Sequence, residues 1–248
     1  MMAILEAVGI SKHFGGLMAT NDVSFAVEEG RITSIIGPNG AGKTTLFNLL
    51  TGWYKPDAGK VLLEGQDISG WPIHKIVNLG IARSFQVLNI FNEISPADNI
   101  RLAVQARKKR GLNFFRSAKG FEDINQETDA VLEEIGLPAV KNLPTKTLSY
   151  GDKRVLEIGI AMASKPKLLL MDEPTSGLPT SETERIKEFI KKISTQLTVL
   201  VIEHDMDIVL TISDIIVVLH QGKVIAQGPP EEIKANEEVQ EAYLGGID

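Results

Sequence analysis

The stretch RITSIIGPNGAGKTTLFNLLTG, residues 31–52, decides the fold. RITSIIG (31–37) is an apolar run of strand length. Such a run fits a strand buried on both faces, as in a parallel sheet covered by helices. GKTTLFNLLTG, which ends it, reads as a helix. Between them GPNGAGKTT (37–45) matches G-x-x-x-x-G-K-[ST] in the strand-to-helix setting that motif requires. Gly37, Gly40 and Gly42 let the backbone bend, so that amide groups of Gly37, Pro38, Asn39, Gly40, Ala41 and Gly42 surround a phosphate chain. Proline supplies the turn but no N–H. The following helix adds its positive end. Lys43 is placed to reach the β- and γ-phosphates, Thr44 to offer a hydroxyl to Mg²⁺, and Thr45 to contact phosphate.

Working outward, KLLLMD (167–172), LTVLVI (197–202) and DIIVVL (214–219) are further strand-length apolar runs. SETERIKEFIKKIS and DMDIVLTIS are the helical patterns between them. The alternation predicts an α/β core. LLLMDEP (168–174) ends a buried strand in two carboxylates, which is unfavourable unless something binds them. Asp172 is placed to hold Mg²⁺, directly or through water, and Glu173 to polarise an attacking water. Taken alone, the pair also fits an acidic helix start.

Two more polar residues follow strand runs: Gln86 in IARSFQ and His204 in VLVIEHD. In open α/β sheets ligands gather at the carboxyl ends of strands. Gln86 would sense Mg²⁺ and the water, and His204 would contact the γ-phosphate.

Residues 96–165 lack a strong strand run. SPADNIRLAVQARKK and QETDAVLEEIGL read as helices, with Ser95 and Pro96 as cap and first-turn residue. The expectation is a helical subdomain, 96–165, inserted into a core of 1–95 plus 166–248. The basic patch RKKRGLNFFRSAKG (107–120) reads as a solvated face. Within the insertion, LSYGDKR (148–154) places Ser149 and Gly151 ahead of the helical pattern KRVLEIGIAMA, like a second anion-binding turn.

Bulk properties narrow the function classes. The chain has 248 residues, no cysteine and a net charge of −6. The charge argues against nucleic-acid binding. The absence of cysteine excludes thiolate metal sites and suits the cytosol. The N-terminal stretch has no basic start or long apolar core, so no signal peptide is expected. No apolar run approaches the ~20 residues that span a bilayer.

In order, GPNGAGKTT, Gln86, LSYGD, LLLMDEP and His204 resemble the motifs of the ABC-type ATPases, the motors of ATP-binding cassette transporters. The resemblance covers essentially the whole chain. It implies a P-loop NTPase (RecA-type) core with a mostly parallel sheet, an antiparallel β edge region and the inserted helices. Phe14, in KHFGGLMA, falls where the family places an aromatic that stacks on adenine. The resemblance also implies a head-to-tail pair of cassettes, a homo- or heterodimer. Each ATP then lies between one chain's P-loop and the other's LSYGD turn, touched by Ser149 and Gly151. Asp152 departs from the family's neutral glutamine; Lys153 and Arg154 are expected to offset it. Pro179 stands where many cassettes carry Asp, and is expected to start the next helix.

FGGLMATNDVSF, LTGWYKPDAGKV, LEIGIAMASKPKLLLMDEP, VIEHDMDIV and EAYLGG look like the branched-chain amino acid importer ATPases, in particular the larger of that system's two ATPase subunits. Implied partners are a second ATPase, integral membrane permeases and, indirectly, a substrate-binding protein. The implied location is the cytoplasmic face of the membrane. Relatives serving urea or amide uptake, or lipopolysaccharide export, share these residues. A DNA-repair cassette needs a long coiled coil and a translation cassette needs two copies; neither is present. Lys43, Glu173 and His204 argue against a non-hydrolysing nucleotide binder.

Overall fold

The computed structural model describes residues 2–84, 88–108 and 119–244. In chain order the elements are β1 (Ala3–Phe14), β2 (Leu17–Glu28), β3 (Ile32–Ile36), α1 (Lys43–Leu50), β4 (Ala58–Leu63), β5 (Gln66–Asp67), α2 (Ile73–Asn78) and β6 (Ile81–Arg83). Helices α3 (Pro96–Arg107), α4 (Lys119–Glu134) and α5 (Tyr150–Met162) come next. The chain returns to the sheet with β7 (Leu168–Asp172), α6 (Thr180–Ser194), β8 (Thr198–Ile202), α7 (Met206–Ile212), β9 (Ile215–His220) and β10 (Lys223–Gly228). It continues through α8 (Pro230–Ala235) and α9 (Glu237–Leu244).

The four apolar runs form β3, β7, β8 and β9 of a six-stranded sheet ordered β10-β9-β3-β8-β7-β6. Only β10 is antiparallel to its neighbour. β3, β7 and β8 are buried at every residue, so their sequences are mostly apolar rather than alternating, with Thr33, Ser34, Asp172 and Thr198 buried among the apolar residues. Because they run parallel, their carboxyl ends meet at one edge, where the P-loop, Asp172 and the segment Glu203–His204 begin. β1, β2, β4 and β5 form a separate antiparallel sheet. Its inner face packs on α1: Leu5, Ile10, Val23 and Val27 join Leu46, Phe47, Leu49 and Leu50 in one cluster. Each fully buried side chain of this kind stabilises the fold by about 1.5–3 kcal/mol.

In the inserted segment, Ser95 caps α3 by accepting from the Asp98 N–H, with Pro96 at the first turn. Ile100, Val104, Leu132 and Ile158 share an apolar cluster with Leu169 and Met171 of β7, and with Ile186 and Ile190 of α6. The helices between β6 and β7 therefore pack against both the sheet and α6. On α6 the buried residues are Ile186, Phe189, Ile190 and Ile193, one stripe at helical spacing. Most of the basic patch lies outside the described residues. Its first two cations, Arg107 and Lys108, are not on a free solvated face: they pair with Glu127 and Asp123 of α4. Among the described residues no helix is long and apolar enough to cross a membrane.

Candidate nucleotide site

The P-loop follows β3, the central strand, and turns into α1. Gly42 is its pivot. Its φ of 100° is left-handed, and a Cβ there would stand 2.3 Å from the Ala19 carbonyl oxygen, so only glycine fits. No side chain caps α1, and its first turn carries no acid. The amides at this helix start therefore stay available to an anion, and the macrodipole favours one. The loop is tied down from outside. Gly222, in the β9–β10 turn, donates to the Ala41 carbonyl at 3.0 Å, and Asn21 donates to the Gly222 carbonyl at 2.7 Å.

Lys43 is buried, and its ammonium donates to the carbonyls of Gly37 (2.6 Å) and Pro38 (3.1 Å). Burial lowers its pKa, against the opposing pull of the Glu173 and Asp172 carboxylates. A cation held among carbonyls at the mouth of a loop suits a phosphate chain. Thr44 is exposed and Thr45 half-buried. Both line, with Asn39, Gly40, Ala41, Gly42, Lys43 and Glu173, a cleft of about 300 Å³. The P-loop and the second carboxylate of LLLMDEP thus face one space.

Asp172, at the tip of β7, is 3% exposed. Burial raises its pKa, and Arg83 pulls it back. The Arg83 guanidinium donates to Asp172 Oδ2 (3.2 Å) and Asn48 Oδ1 (2.7 Å), and lies 4.4 Å from the Phe47 ring centre. The carboxylate and the Thr44 hydroxyl are hard oxygen ligands of the kind Mg²⁺ takes. Gln86 lies outside the described residues.

Glu173 has a φ of 46°, which costs a non-glycine residue about 1–2 kcal/mol. The surroundings over-determine this turn. The Glu173 N–H donates to the Ile202 carbonyl at 2.8 Å. Arg154 of α5 donates to the Glu173 carbonyl at 2.8 Å and the Pro174 carbonyl at 3.1 Å. Glu203 accepts from the Thr175 amide at 3.1 Å and its hydroxyl at 2.5 Å. Burial raises the pKa of Glu203, opposed mainly by these Thr175 bonds. His204 sits two residues past β8 and is about half exposed. Its Nδ1 is 3.8 Å from Glu173 Oε2 and 3.7 Å from Glu203 Oε2, too long for hydrogen bonds but within ion-pair reach.

Phe14, at the end of β1, is 42% exposed, meets Tyr54 edge-on at 5.3 Å and has the Lys12 ammonium 5.7 Å from its ring centre. Ser149 and Gly151 are not among the residues lining the P-loop cleft. Ser149 caps α5, its hydroxyl accepting from the Asp152 N–H at 3.0 Å. Gly151 is buried, and a Cβ there would stand 1.8 Å from Glu182 Oε2.

The expected compensation of Asp152 is corrected. Its carboxylate accepts from Arg185 of α6 at 2.7 Å. Lys153 donates to the Lys146 carbonyl at 3.1 Å, and Arg154 is wholly buried. Helical spacing explains this. Arg154 lies on the same stripe as Ile158 and Met162, which faces the core, whereas Asp152 points to Arg185 on α6. Pro179 precedes α6 as its cap residue rather than opening its first turn.

Sequence reasoning passed over Arg83 and Glu203, and gave Arg154 only the task of offsetting Asp152. Each had the same signal: a charge inside an otherwise apolar strand end or helix stripe, where burial demands a partner.

A family model described as ABC transporter matches residues 20–176, and one described as Branched-chain amino acid ATP-binding cassette transporter matches residues 223–248. The chain is 43% identical over 251 residues to the high-affinity branched-chain amino acid transport ATP-binding protein BraF of Pseudomonas aeruginosa, with 98% of each covered. It is 41% identical to the corresponding protein LivG of Escherichia coli (strain K12), again with 98% of each covered. The solved ADP conformation of an ATP-binding cassette of an ABC transporter superposes with a TM-score of 0.87 at 31% identity, covering 99% of this chain and 100% of that one. ATP hydrolysis coupled to transport is the general activity of such cassettes. With an uncapped P-loop facing the glutamate of a buried strand end, and with these likenesses along its whole length, the chain belongs to the ATP-binding subunits of ABC transporters, in the branched-chain amino acid transport group.

Proposed function

We propose that this chain binds and hydrolyses ATP to drive import of branched-chain amino acids. It would work from the cytoplasmic face of the membrane, in a head-to-tail pair with a second cassette, on integral permease subunits served by a substrate-binding protein. The observation that carries the hydrolytic part is the shared cleft of Lys43, Thr44, Thr45 and Glu173. The names of the relatives support the cargo.

In this reading the amides of the loop and α1 hold the phosphates, and Lys43 turns from its own loop carbonyls to the β- and γ-phosphates. Phe14 offers its exposed face to adenine. Mg²⁺, held by Thr44 and Asp172 with Gln86, would neutralise developing phosphate charge. Arg83 opposes the upward push of burial on the Asp172 pKa and holds the carboxylate's orientation. Glu173 accepts a proton from the attacking water, its carboxylate aimed by the left-handed turn. His204, near Glu173, orients the γ-phosphate. Ser149 and Gly151 would complete the partner's site. Purification with the membrane subunits intact, followed by uptake assays with leucine, isoleucine, valine, urea and amides, tests the reading. ATP-dependent uptake of the branched amino acids alone supports it; transport of another cargo overturns the substrate assignment.

A further inference from the structure

Helix α5 and the loop carrying Glu173 are joined through Arg154, which is itself ion-paired within α5 to Glu157. Arg154 is 0% exposed and Glu157 is 4% exposed. Arg154 Nη1 donates to Glu157 Oε2 at 2.8 Å, Nη2 to the Glu173 carbonyl at 2.8 Å, and Nε to the Pro174 carbonyl at 3.1 Å. The other Glu157 oxygen accepts from the Asn89 N–H at 3.4 Å, on the segment that follows β6. One guanidinium fork thus bridges the helix to two successive carbonyls at the strained Glu173 turn. Glu157 extends the link to Asn89. Buried ion pairs add little net stability compared with apolar packing, so this geometry calls for another role. A rigid, planar set of donors is suited to fixing directions.

We propose that Arg154, held in place by Glu157, is a positioning residue for Glu173. It transmits the placement of the α5 start to the backbone that aims the water-polarising carboxylate. This rests on the reading above, in which Ser149 and Gly151 touch the ATP of the partner while Glu173 serves its own chain's ATP. Arg154 follows Ser149 by less than two helical turns, so engagement of the turn at one nucleotide moves the support of Glu173 at the other. The two sites are then linked through the buried Arg154 side chain.

The test uses the assembled transporter with Arg154→Met/Glu157→Met, which replaces the pair by apolar groups, and with Arg154→Lys. Turnover, KM, ATP affinity of the isolated chain and Tm are measured for each. The expected double variant keeps its Tm and binds ATP within twofold of the parent, but turns over about 100-fold more slowly, as misplacement of a reacting group by ~1 Å does. Arg154→Lys, with one ammonium in place of a fork, restores only part of the rate at unchanged ATP affinity. Turnover of both variants within threefold of the parent overturns the proposal. So does a loss of ATP affinity as large as the loss of rate. Should the double variant fail to fold, Arg154→Lys alone decides by the same criteria. Glu173→Gln is run alongside. If it stays active, the reading of Glu173 fails; if it is inactive while the Arg154 variants are fully active, only the positioning role fails.

Discussion

Two helix starts in this chain bear a glycine and a small hydroxyl residue, and they are built in opposite ways. At α1, no side chain caps the helix, no acid sits in the first turn, and Lys43 supplies a cation. At α5, Ser149 caps the helix and Asp152 adds a negative charge, paired with Arg185. The first start is open to an anion by itself. The second is satisfied from within, and its glycine makes room for Glu182 rather than for a loop crossing. A helix N-terminus is an anion site only to the extent that its amides lack internal partners. In the proposed reading, the α5 start contributes to a nucleotide only as one wall of a site whose phosphate cradle lies on another chain.

The comparison can be broken most decisively at Glu173. Glu173→Gln is expected to lower turnover by about 10²–10⁴-fold, the usual contribution of a positioned base, with ATP binding retained. Steady-state hydrolysis beside a binding isotherm checks it, and near-normal turnover removes Glu173 from the chemistry. Next in size, Ser149→Arg should stop hydrolysis by the assembled pair while the isolated chain binds ATP normally. Loss of binding by the isolated chain would place Ser149 in its own chain's site and erase the contrast between the two starts. Lys43→Ala should weaken ATP binding or turnover by about 100-fold, since it removes the one buried cation of the loop and leaves its amides in place. An unchanged isotherm together with an unchanged rate would sink the cradle.

The smallest effects sharpen the contrast between the glycines. Gly42→Ala forces a left-handed residue against a backbone carbonyl, and should cost about 2 kcal/mol or more by denaturant unfolding. Gly151→Ala meets only the far end of the Glu182 side chain, which can swing aside, so about 1 kcal/mol or less is expected. Equal costs at the two positions would show that Gly151 is as constrained within its own chain as Gly42.

Local pattern carried much of this molecule. The runs RITSIIG, KLLLMD, LTVLVI and DIIVVL became β3, β7, β8 and β9 within a residue or two, because strands buried on both faces are mostly apolar rather than alternating. The P-loop was legible for a similar reason, since its chemistry uses backbone groups whose positions follow from local spacing. What spacing could not show was which distant charges meet. Arg83 with Asp172, Arg154 with Glu173 and Pro174, Glu203 with Thr175, and Asp152 with Arg185 join residues 19 to 89 positions apart.

By itself, then, the sequence determined the order of the central strands and the helices between them, and the identity of the phosphate loop, through periodicity and backbone geometry. The tertiary structure decided how the carboxylates are held. Asp172 and Glu203 lie where burial disfavours charge, and their partners come from other strands and loops. It also decided that Arg154 turns inward to the Glu173 turn while Asp152, two residues away, turns outward to α6. A helix alone sets their relative direction, but only the packing of α5 against the sheet says which side is the core.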